Sequence, residues 1–349
     1  YYITALSFAL FKKTAFFARL PFVVIGLFSL LFLHLILKEE FGNKKINLYA
    51  LIVLGLSASF LLFIRQARHY ALAILLPLII YYYYKKYLKT DKKYFLIFVV
   101  MASAALFYSQ ASACISFIGA LTADYFLFYF KKKTLIPLII SFLLFVALTI
   151  PLVIINKLFS HSEVFFEKQG IWILNKLILL YWNIREINSL GWLPITIFAG
   201  LLIILIIAIK NRQFLNDHHK YTAFIKEWLL IVFVFILFAT FFTLQTVSDT
   251  FIADIRYIVA LLPFTAGLIA VFLFLTEKKS KILAFILLLL VVFTNFLSIP
   301  LIPSRDILNR QVRFDLIWYI NEVHHDYTTP YEAIVEFLGQ NAEQGDIVF

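Results

Sequence analysis

Charged residues are scarce in this chain: Asp, Glu, Lys and Arg make up 15% of its 349 residues, whereas hydrophobic residues make up 63%. Soluble chains carry roughly 25% charged residues, which coat the folded surface, so this composition excludes an ordinary soluble domain. Uninterrupted apolar runs of about 20 residues recur along the chain, and this is the length that a helix needs to cross a bilayer. The sequence therefore predicts an all-α polytopic membrane protein.

Cysteine and the usual catalytic motifs are missing as well. Cys114 is the single cysteine, which excludes an intrachain disulfide. The chain contains no Gly-rich phosphate loop, no nucleophile elbow and no metalloprotease helix. The pairs His218–His219 and His324–His325 are adjacent in sequence, so their side chains point apart and form no metal pair. The cofactor is therefore left unassigned: a divalent metal is open, but no ligand set is visible.

The net charge of +11 would suit a nucleic-acid partner, but its distribution argues against one. The lysines lie in short clusters between apolar runs, where they orient helices in a membrane rather than form a binding face. We therefore expect a membrane partner and no nucleic acid. The many Phe, Ile and Lys residues favour a bacterial source, and hence the bacterial inner membrane.

The apolar runs between these clusters predict about ten membrane-spanning helices. The stretch 95–130 is too long for one span, and its small and polar centre at 108–112 predicts a hairpin between two short helices. The predicted spans lie near 17–37, 47–64, 71–84, 95–110, 114–130, 135–155, 191–209, 228–247, 257–275 and 282–299.

The basic residues also predict the orientation of the spans. The segments 38–46, 85–94, 131–134, 210–227 and 276–281 would share one side, and they hold 18 of the 31 Lys and Arg residues. The positive-inside rule makes this side cytoplasmic. The opposite, periplasmic side then carries the loops 65–70, 156–190 and 248–256 and the tail.

The chain divides into two predicted domains. Residues 1–299 form a transmembrane core, in which 1–16 is a juxtamembrane segment. Residues 300–349 form the beginning of a truncated C-terminal periplasmic domain. There Thr329, Pro330 and Glu332 form a capping box with proline at the first helical position, which indicates the first helix of a soluble α/β fold.

The short external loop 65–70 is the first candidate site. It places Arg65, Gln66, Arg68, His69 and Tyr70 between two apolar runs. Charges so close to hydrocarbon are costly and are functional candidates by default. The simpler alternative is that both arginines reach lipid headgroups as interface anchors. The cytoplasmic loops use mainly lysine whereas this loop uses arginine, whose planar fork suits bidentate phosphate binding, so the functional interpretation is favoured.

A second external segment repeats the pattern. Asp249, Asp254, Arg256 and Tyr257 precede an apolar run that contains Pro263. The simpler alternative is an ion pair between Asp254 and Arg256 that caps the span. Two arginine–tyrosine segments at the same face are expected to converge, and together they indicate an anion site at the membrane surface.

At these two segments the chain resembles the GT-C membrane glycosyltransferases, in the bacterial branch related to protein O-mannosyltransferases and the lipid A aminoarabinose transferase. In that branch an external loop after the third span often reads Arg-x-Tyr, as residues 68–70 do. A later span opens with Arg-Tyr and carries a proline, as Arg256, Tyr257 and Pro263 do. The start of the chain resembles the juxtamembrane helix and second span of the family, and the tail resembles the start of its periplasmic domain.

The resemblance implies a GT-C bundle that transfers a hexose or pentose from a polyprenyl-phosphate donor to a glycan, lipid or protein acceptor at the periplasmic face. The general base in such enzymes is a carboxylate of the first external loop. We expect that loop upstream of Tyr1, so that the chain is a fragment and Asp249 and Asp254 are only weak acid/base candidates. The implied donor-phosphate contacts are Arg68, Arg256 and Arg65, with Tyr70, Tyr257, His69 and Gln66 orienting them or lining the pocket.

Two other functions fit parts of the pattern. A lipid-linked glycan polymerase or ligase also pairs many spans with external arginines, but a large periplasmic loop between two late spans would favour it, and the loop 156–190 lies mid-chain. A transporter or flippase would need polar residues at mid-membrane and broken helices, often in related halves.

The orientation can be tested by labelling single cysteines in a Cys114→Ser background. An impermeant maleimide added to intact spheroplasts should label Gln66→Cys and not Lys89→Cys, because the first position is predicted outside and the second inside. Labelling at position 89 without labelling at position 66 would reverse the whole topology.

Overall fold

The computed structural model of the chain describes residues 2–155, 169–241, 255–301 and 315–324. Within these ranges the backbone forms helices and turns, and no strand occurs. Asp249, Asp254 and the predicted capping box at 329–332 lie outside the described residues. The predicted start of an α/β domain therefore stays a prediction.

Every predicted span corresponds to a helix or to a pair of helices. The predicted hairpin falls at Gln110, where one helix ends and the next begins. A π-helical turn, Tyr125–Tyr129, follows α7, and a 3-10 turn, Phe296–Leu301, follows α13. The helices are α1 Tyr2–Leu10, α2 Ala15–Phe41, α3 Lys44–Gly55, α4 Ala58–Arg65, α5 Tyr70–Thr90, α6 Tyr94–Ser109, α7 Ala111–Asp124, α8 Lys132–Ile155, α9 Gln169–Ser189, α10 Ile195–Lys210, α11 Arg212–Phe241, α12 Leu262–Glu277, α13 Lys281–Phe293 and α14 Asp315–His324.

The lengths of these helices confirm an all-α polytopic membrane protein. Five helices in the described ranges are long and apolar enough to cross a membrane alone, and α3 with α4 forms a sixth candidate that is bent by 61°. The helices α6, α10 and α13 are apolar but shorter, with 16, 16 and 13 residues. At 1.5 Å per residue they fall short of a core about 30 Å thick.

Helix α12 forms the centre of the bundle. In its apolar window 89% of the residues are buried within the protein, against 17% for α8, which lies at the periphery. Trp228 of α11 packs directly against Gly267 of α12, where an added Cβ would lie 2.2 Å from the indole ring. Only glycine therefore allows this approach of the two helices. Large apolar side chains at the periphery, such as Ile136 and Ile140 of α8, are exposed toward the membrane.

The helix ends that carry the lysine clusters meet at one side of the bundle. Ion pairs there join Lys45 to Glu277, Lys86 to Glu39 at 3.3 Å, and Lys89 to Glu40 at 2.8 Å. Exposed pairs of this kind contribute only about 0–1 kcal/mol each. They nevertheless hold together chain segments that the lysine pattern assigns to the same face.

One ion pair lies inside the bundle, toward this lysine-rich side. The Lys85 ammonium of α5 donates to both carboxylate oxygens of Glu227 of α11, each at 2.8 Å, and both side chains are only 8% exposed. The hydroxyls of Tyr81 and Tyr129 also donate to Glu227, at 2.5 and 2.7 Å. The carboxylate is thus fully hydrogen-bonded, which a buried charge requires.

The tyrosines that precede Lys85 lie inside the bundle. Tyr81, Tyr82 and Tyr84 are buried. Asp124, which is fully buried, accepts a hydrogen bond from the Tyr84 hydroxyl at 3.0 Å. Tyr81 and Tyr84 therefore each donate a hydrogen bond to a buried carboxylate.

Removing Lys85 should expose how much the bundle depends on this pair. Lys85→Met leaves Glu227 buried without its cation, so we expect a loss of about 3–5 kcal/mol in unfolding free energy. The double variant Lys85→Met/Glu227→Gln removes both charges and should recover most of it. Reversible unfolding in mixed micelles measures the change.

The matched control is Lys89→Met, which breaks the exposed pair with Glu40 and should cost at most about 1 kcal/mol. Equal losses for Lys85→Met and Lys89→Met would mean that the buried pair contributes no more than a surface pair.

Candidate functional site

The break between α3 and α4 sets the position of the arginine-rich loop. The Ser57 hydroxyl caps α4 by accepting from the Phe60 N–H, so the short helix starts in a new direction. Ile64 at its far end packs over Gly26 of α2, where a Cβ would lie 2.7 Å from the Ile64 side chain. The close packing on Gly26 fixes the end of α4 and hence the place where Arg65 leaves the helix.

We call residues 65–70 the arginine loop. The backbone N–H of Arg68 donates to the Gln66 carbonyl at 2.8 Å, which closes a tight turn. Tyr70 begins α5, is buried, and packs edge-on against Phe63 with ring centroids 5.3 Å apart. The His69 ring lies 4.5 Å from the Tyr70 ring. Tyr70 therefore anchors the loop to the bundle, while Arg68 is exposed.

The second arginine segment, residues 255–261, leads into α12. Ile255–Tyr257 and Val259–Leu261 form two 3-10 turns before the helix begins. Arg256 is exposed at the first turn, whereas the next turn is buried in the core. The segment thus presents Arg256 at the surface and is held by the apolar residues that follow it.

The second arginine segment packs beside α5. Its turn Val259–Leu261 contacts α5, which begins one residue after His69. Burial lowers the pKa of the His69 imidazole, and the positive charges of Arg68 and Arg256 lower this pKa further. These effects favour the uncharged form of the imidazole, which adds no third positive charge.

Gln110 ties the second segment to the helical hairpin. It lies at the break between α6 and α7, is buried, and its side-chain amide donates to the Arg256 carbonyl at 2.8 Å. The side-chain oxygen of Gln110 is buried without a partner among the described residues. The sequence indicated the hairpin at this position, but nothing in it indicated the contact with Arg256.

Arg65 has a partner that the sequence did not predict. Its guanidinium carbon lies 5.9 Å from the centre of the Tyr319 ring of α14, within the range of a cation–π contact. Helix α14 belongs to the segment assigned to the C-terminal domain, yet it packs against α4 and α13 of the core. Tail and arginine loop are therefore in direct contact.

Of the other predicted site residues, the structure describes Gln66 and Tyr257. Gln66 is half-buried in extended backbone just after α4, and Tyr257 is half-buried at the end of its 3-10 turn. Asp249 and Asp254 lie outside the described residues, so their distance from the arginines is not defined. In the described ranges no group of three His, Cys, Asp or Glu side chains could hold a metal ion.

The arrangement suits an anion. Arg68 is exposed, and the part of the chain that the structure describes offers its guanidinium no ion-pair partner. The loop also precedes the N-terminus of α5, whose dipole and first N–H groups favour negative charge. Arg68, Arg256 and this helix end together provide several donors for phosphate oxygens.

The comparisons with known proteins give one family match. Residues 1–155 match the family model for dolichyl-phosphate-mannose-protein mannosyltransferases. The matched part contains the arginine loop and Gln110, whereas Arg256 lies beyond it. No curated protein and no solved structure matches the chain. The family match confirms the resemblance to membrane glycosyltransferases of the GT-C type.

The lowered pKa of His69 predicts how stability depends on pH. The unfolded chain binds a proton at this histidine near its ordinary pKa of about 6.5, more readily than the folded chain does. The lowered pKa of His69 therefore contributes to the free energy of unfolding above pH 6.5, and this contribution is lost as the pH falls below 6.5. We expect the melting temperature of the wild type, relative to that of His69→Gln, to fall between about pH 7.5 and pH 5.5.

Thermal denaturation in detergent at a series of pH values measures this difference. His219→Gln, at an exposed position, controls for the loss of one histidine and should give a difference that changes less with pH. A wild type that gains stability relative to His69→Gln on acidification would contradict the prediction.

Proposed function

We propose that the chain is the membrane core of a glycosyltransferase that moves a sugar from a polyprenyl-phosphate donor to an acceptor at the periplasmic face of a bacterial inner membrane. The observation that carries the proposal is that the turn after Arg256 packs against α5, the helix that follows the arginine loop, while Arg68 and Arg256 are both exposed. The family match on residues 1–155, which includes the arginine loop, supports the same reaction class.

The chemistry requires stabilisation of a phosphate that gains charge. Transfer breaks the bond between the anomeric carbon and the phosphate oxygen of the carrier, and the phosphate leaves with the electron pair. An acceptor hydroxyl attacks the same carbon and loses its proton to a base. Donors placed where negative charge develops lower the barrier, and in this proposal Arg68 and Arg256 supply them, with Arg65 as a further contact.

Neutral His69 has a distinct part in this proposal. Burial and the charges of Arg68 and Arg256 lower its pKa and so favour the uncharged form, which can donate one hydrogen bond to a phosphate oxygen through its N–H group. Tyr70 and Gln66 keep the loop in place, and Tyr257 flanks Arg256. Asp249 and Asp254 stay weak candidates for the general base.

The donor class follows from the same features. The description of the matched family names a mannose carried on a lipid phosphate, and a site at the membrane surface suits a donor whose lipid chain stays in the bilayer. We propose that this chain transfers a hexose or pentose from such a carrier. The acceptor is a glycan, a lipid or a protein.

A lipid-linked glycan polymerase or ligase is the nearest alternative. The external loop 156–190, which would have to carry its extra binding surface, forms α9 over Gln169–Ser189. That helix runs beside α11, so the part of the loop that the structure describes is packed against the bundle. A single-sugar donor in the assay below separates the two functions, because a polymerase requires a longer lipid-linked glycan.

A transporter or flippase is favoured by two observations and opposed by two others. The α3–α4 span is broken, and Lys85 and Glu227 lie inside the bundle. Among the described helices, however, no second broken pair mirrors the first. The Glu227 carboxylate is moreover occupied by the three side chains that donate to it, so this pair closes the interior rather than offering a pathway.

Arg68→Lys tests the proposed function. Lysine keeps the charge but loses the two parallel N–H donors that clamp two phosphate oxygens, so we expect turnover to fall by about 10²–10³-fold. The assay measures transfer from a labelled polyprenyl-phosphate sugar in membranes that contain the full-length protein.

Arg19→Lys is the matched control. Arg19 is exposed near the outer end of α2, and at such a position both side chains reach lipid headgroups, so turnover should stay close to that of the wild type. Near-normal turnover in Arg68→Lys would remove Arg68 from the mechanism. Absence of transfer by the wild type with any such donor would refute the reaction itself.

A further inference from the structure

Helix α14 lies at the end of the bundle where Arg65 ends α4. It packs against α4 and α13, and its Tyr319 ring contacts Arg65, which ends the broken α3–α4 span. Since Arg65 marks the outer end of a membrane-crossing segment, α14 lies where the bundle leaves the hydrocarbon. The helix is therefore placed at the boundary between acyl chains and headgroups.

One face of α14 begins on the protein and continues beyond it. Leu316, Ile320 and Val323 follow one another at the spacing of a single helical stripe. Leu316 is 6% exposed and packs into the main core, whereas Ile320 is 46% and Val323 is 42% exposed. Ile317, which lies beside the stripe, is also exposed. The protein therefore covers the apolar face of α14 at its first turn, at Leu316, and leaves it exposed at Ile320 and Val323.

The surroundings of this face are apolar and the opposite face is polar. The neighbouring helix α13 exposes Phe285, Ile286 and Leu289, which is the surface of a helix in contact with lipid. On α14 itself, Asn321 is exposed and polar. A short helix with one apolar face and one polar face at this depth has the properties of an interfacial helix.

We propose that α14 is embedded in the outer leaflet of the bilayer, with Ile320 and Val323 among the acyl chains. The partner is the lipid surface, because the unpartnered stripe continues the lipid-facing surface of α13. The bilayer then holds α14 against α4 and keeps Tyr319 on the guanidinium of Arg65. This inference depends on the position of α14 and is independent of the proposed reaction.

Site-directed fluorescence in proteoliposomes tests the proposal. Ile320→Cys, Val323→Cys and Asn321→Cys are made singly in a Cys114→Ser background and labelled with an environment-sensitive nitrobenzoxadiazole probe. Asn321 is the matched control, because it is adjacent to Ile320 in sequence but lies about 100° away around the helix. Each labelled protein is reconstituted into phosphatidylcholine–phosphatidylglycerol vesicles, with and without lipids that carry a doxyl group high on the acyl chain.

The expected result is a blue-shifted emission and quenching by doxyl lipid at positions 320 and 323, and neither at position 321. Equal emission and no quenching at all three positions would overturn the proposal. A blue shift that depends on the protein-to-lipid ratio and resists doxyl quenching would overturn it too, since a second copy of the chain or another segment would then cover the stripe.

Discussion

Hydrocarbon offers no hydrogen-bond partner, and this constraint places the polar groups of the bundle. Backbone groups are satisfied inside helices, the only open-chain structure that can cross a bilayer. Charged side chains gather where helices end, with lysines at one side and the candidate arginines at the other. The buried exception, Lys85 with Glu227, exists because tyrosine hydroxyls and the ammonium saturate one carboxylate.

The two sides of the bundle use their charges differently. At the lysine-rich side, Lys45, Lys86 and Lys89 each pair with a glutamate of another helix, so these three charges are neutralised within the protein. At the other side, Arg68 has no such partner among the described residues, and the pKa of His69 is lowered by burial and by the charges of Arg68 and Arg256. An anion that arrives there meets the exposed guanidinium of Arg68 without a competing carboxylate from the described part of the chain.

Rigid supports hold these donors. Ile64 is fixed against Gly26 at the end of α4, Tyr70 is buried at the start of α5, and Gln110 holds the backbone of Arg256. A phosphate site needs such support, because a donor that must reorganise during reaction stabilises the transition state less. The broken α3–α4 span is part of this support, since the bend directs the short helix and its terminal arginine to the outer surface.

The sequence by itself determined the membrane class, the succession of apolar helices, the sidedness of the lysine clusters and the two arginine segments, because hydropathy, length and charge act locally along the chain. It also indicated the break at Gln110 through small and polar residues. The tertiary structure alone decided that Glu227 lies inside the bundle beside Lys85, that Tyr81 and Tyr84 face inward, and that α14 covers Arg65. These contacts join residues far apart in sequence. A tyrosine or a carboxylate near a helix end gives the same sequence pattern whether it faces lipid headgroups or a neighbouring helix. Only the packing of the helices around α12 decides which of these two environments the side chain has.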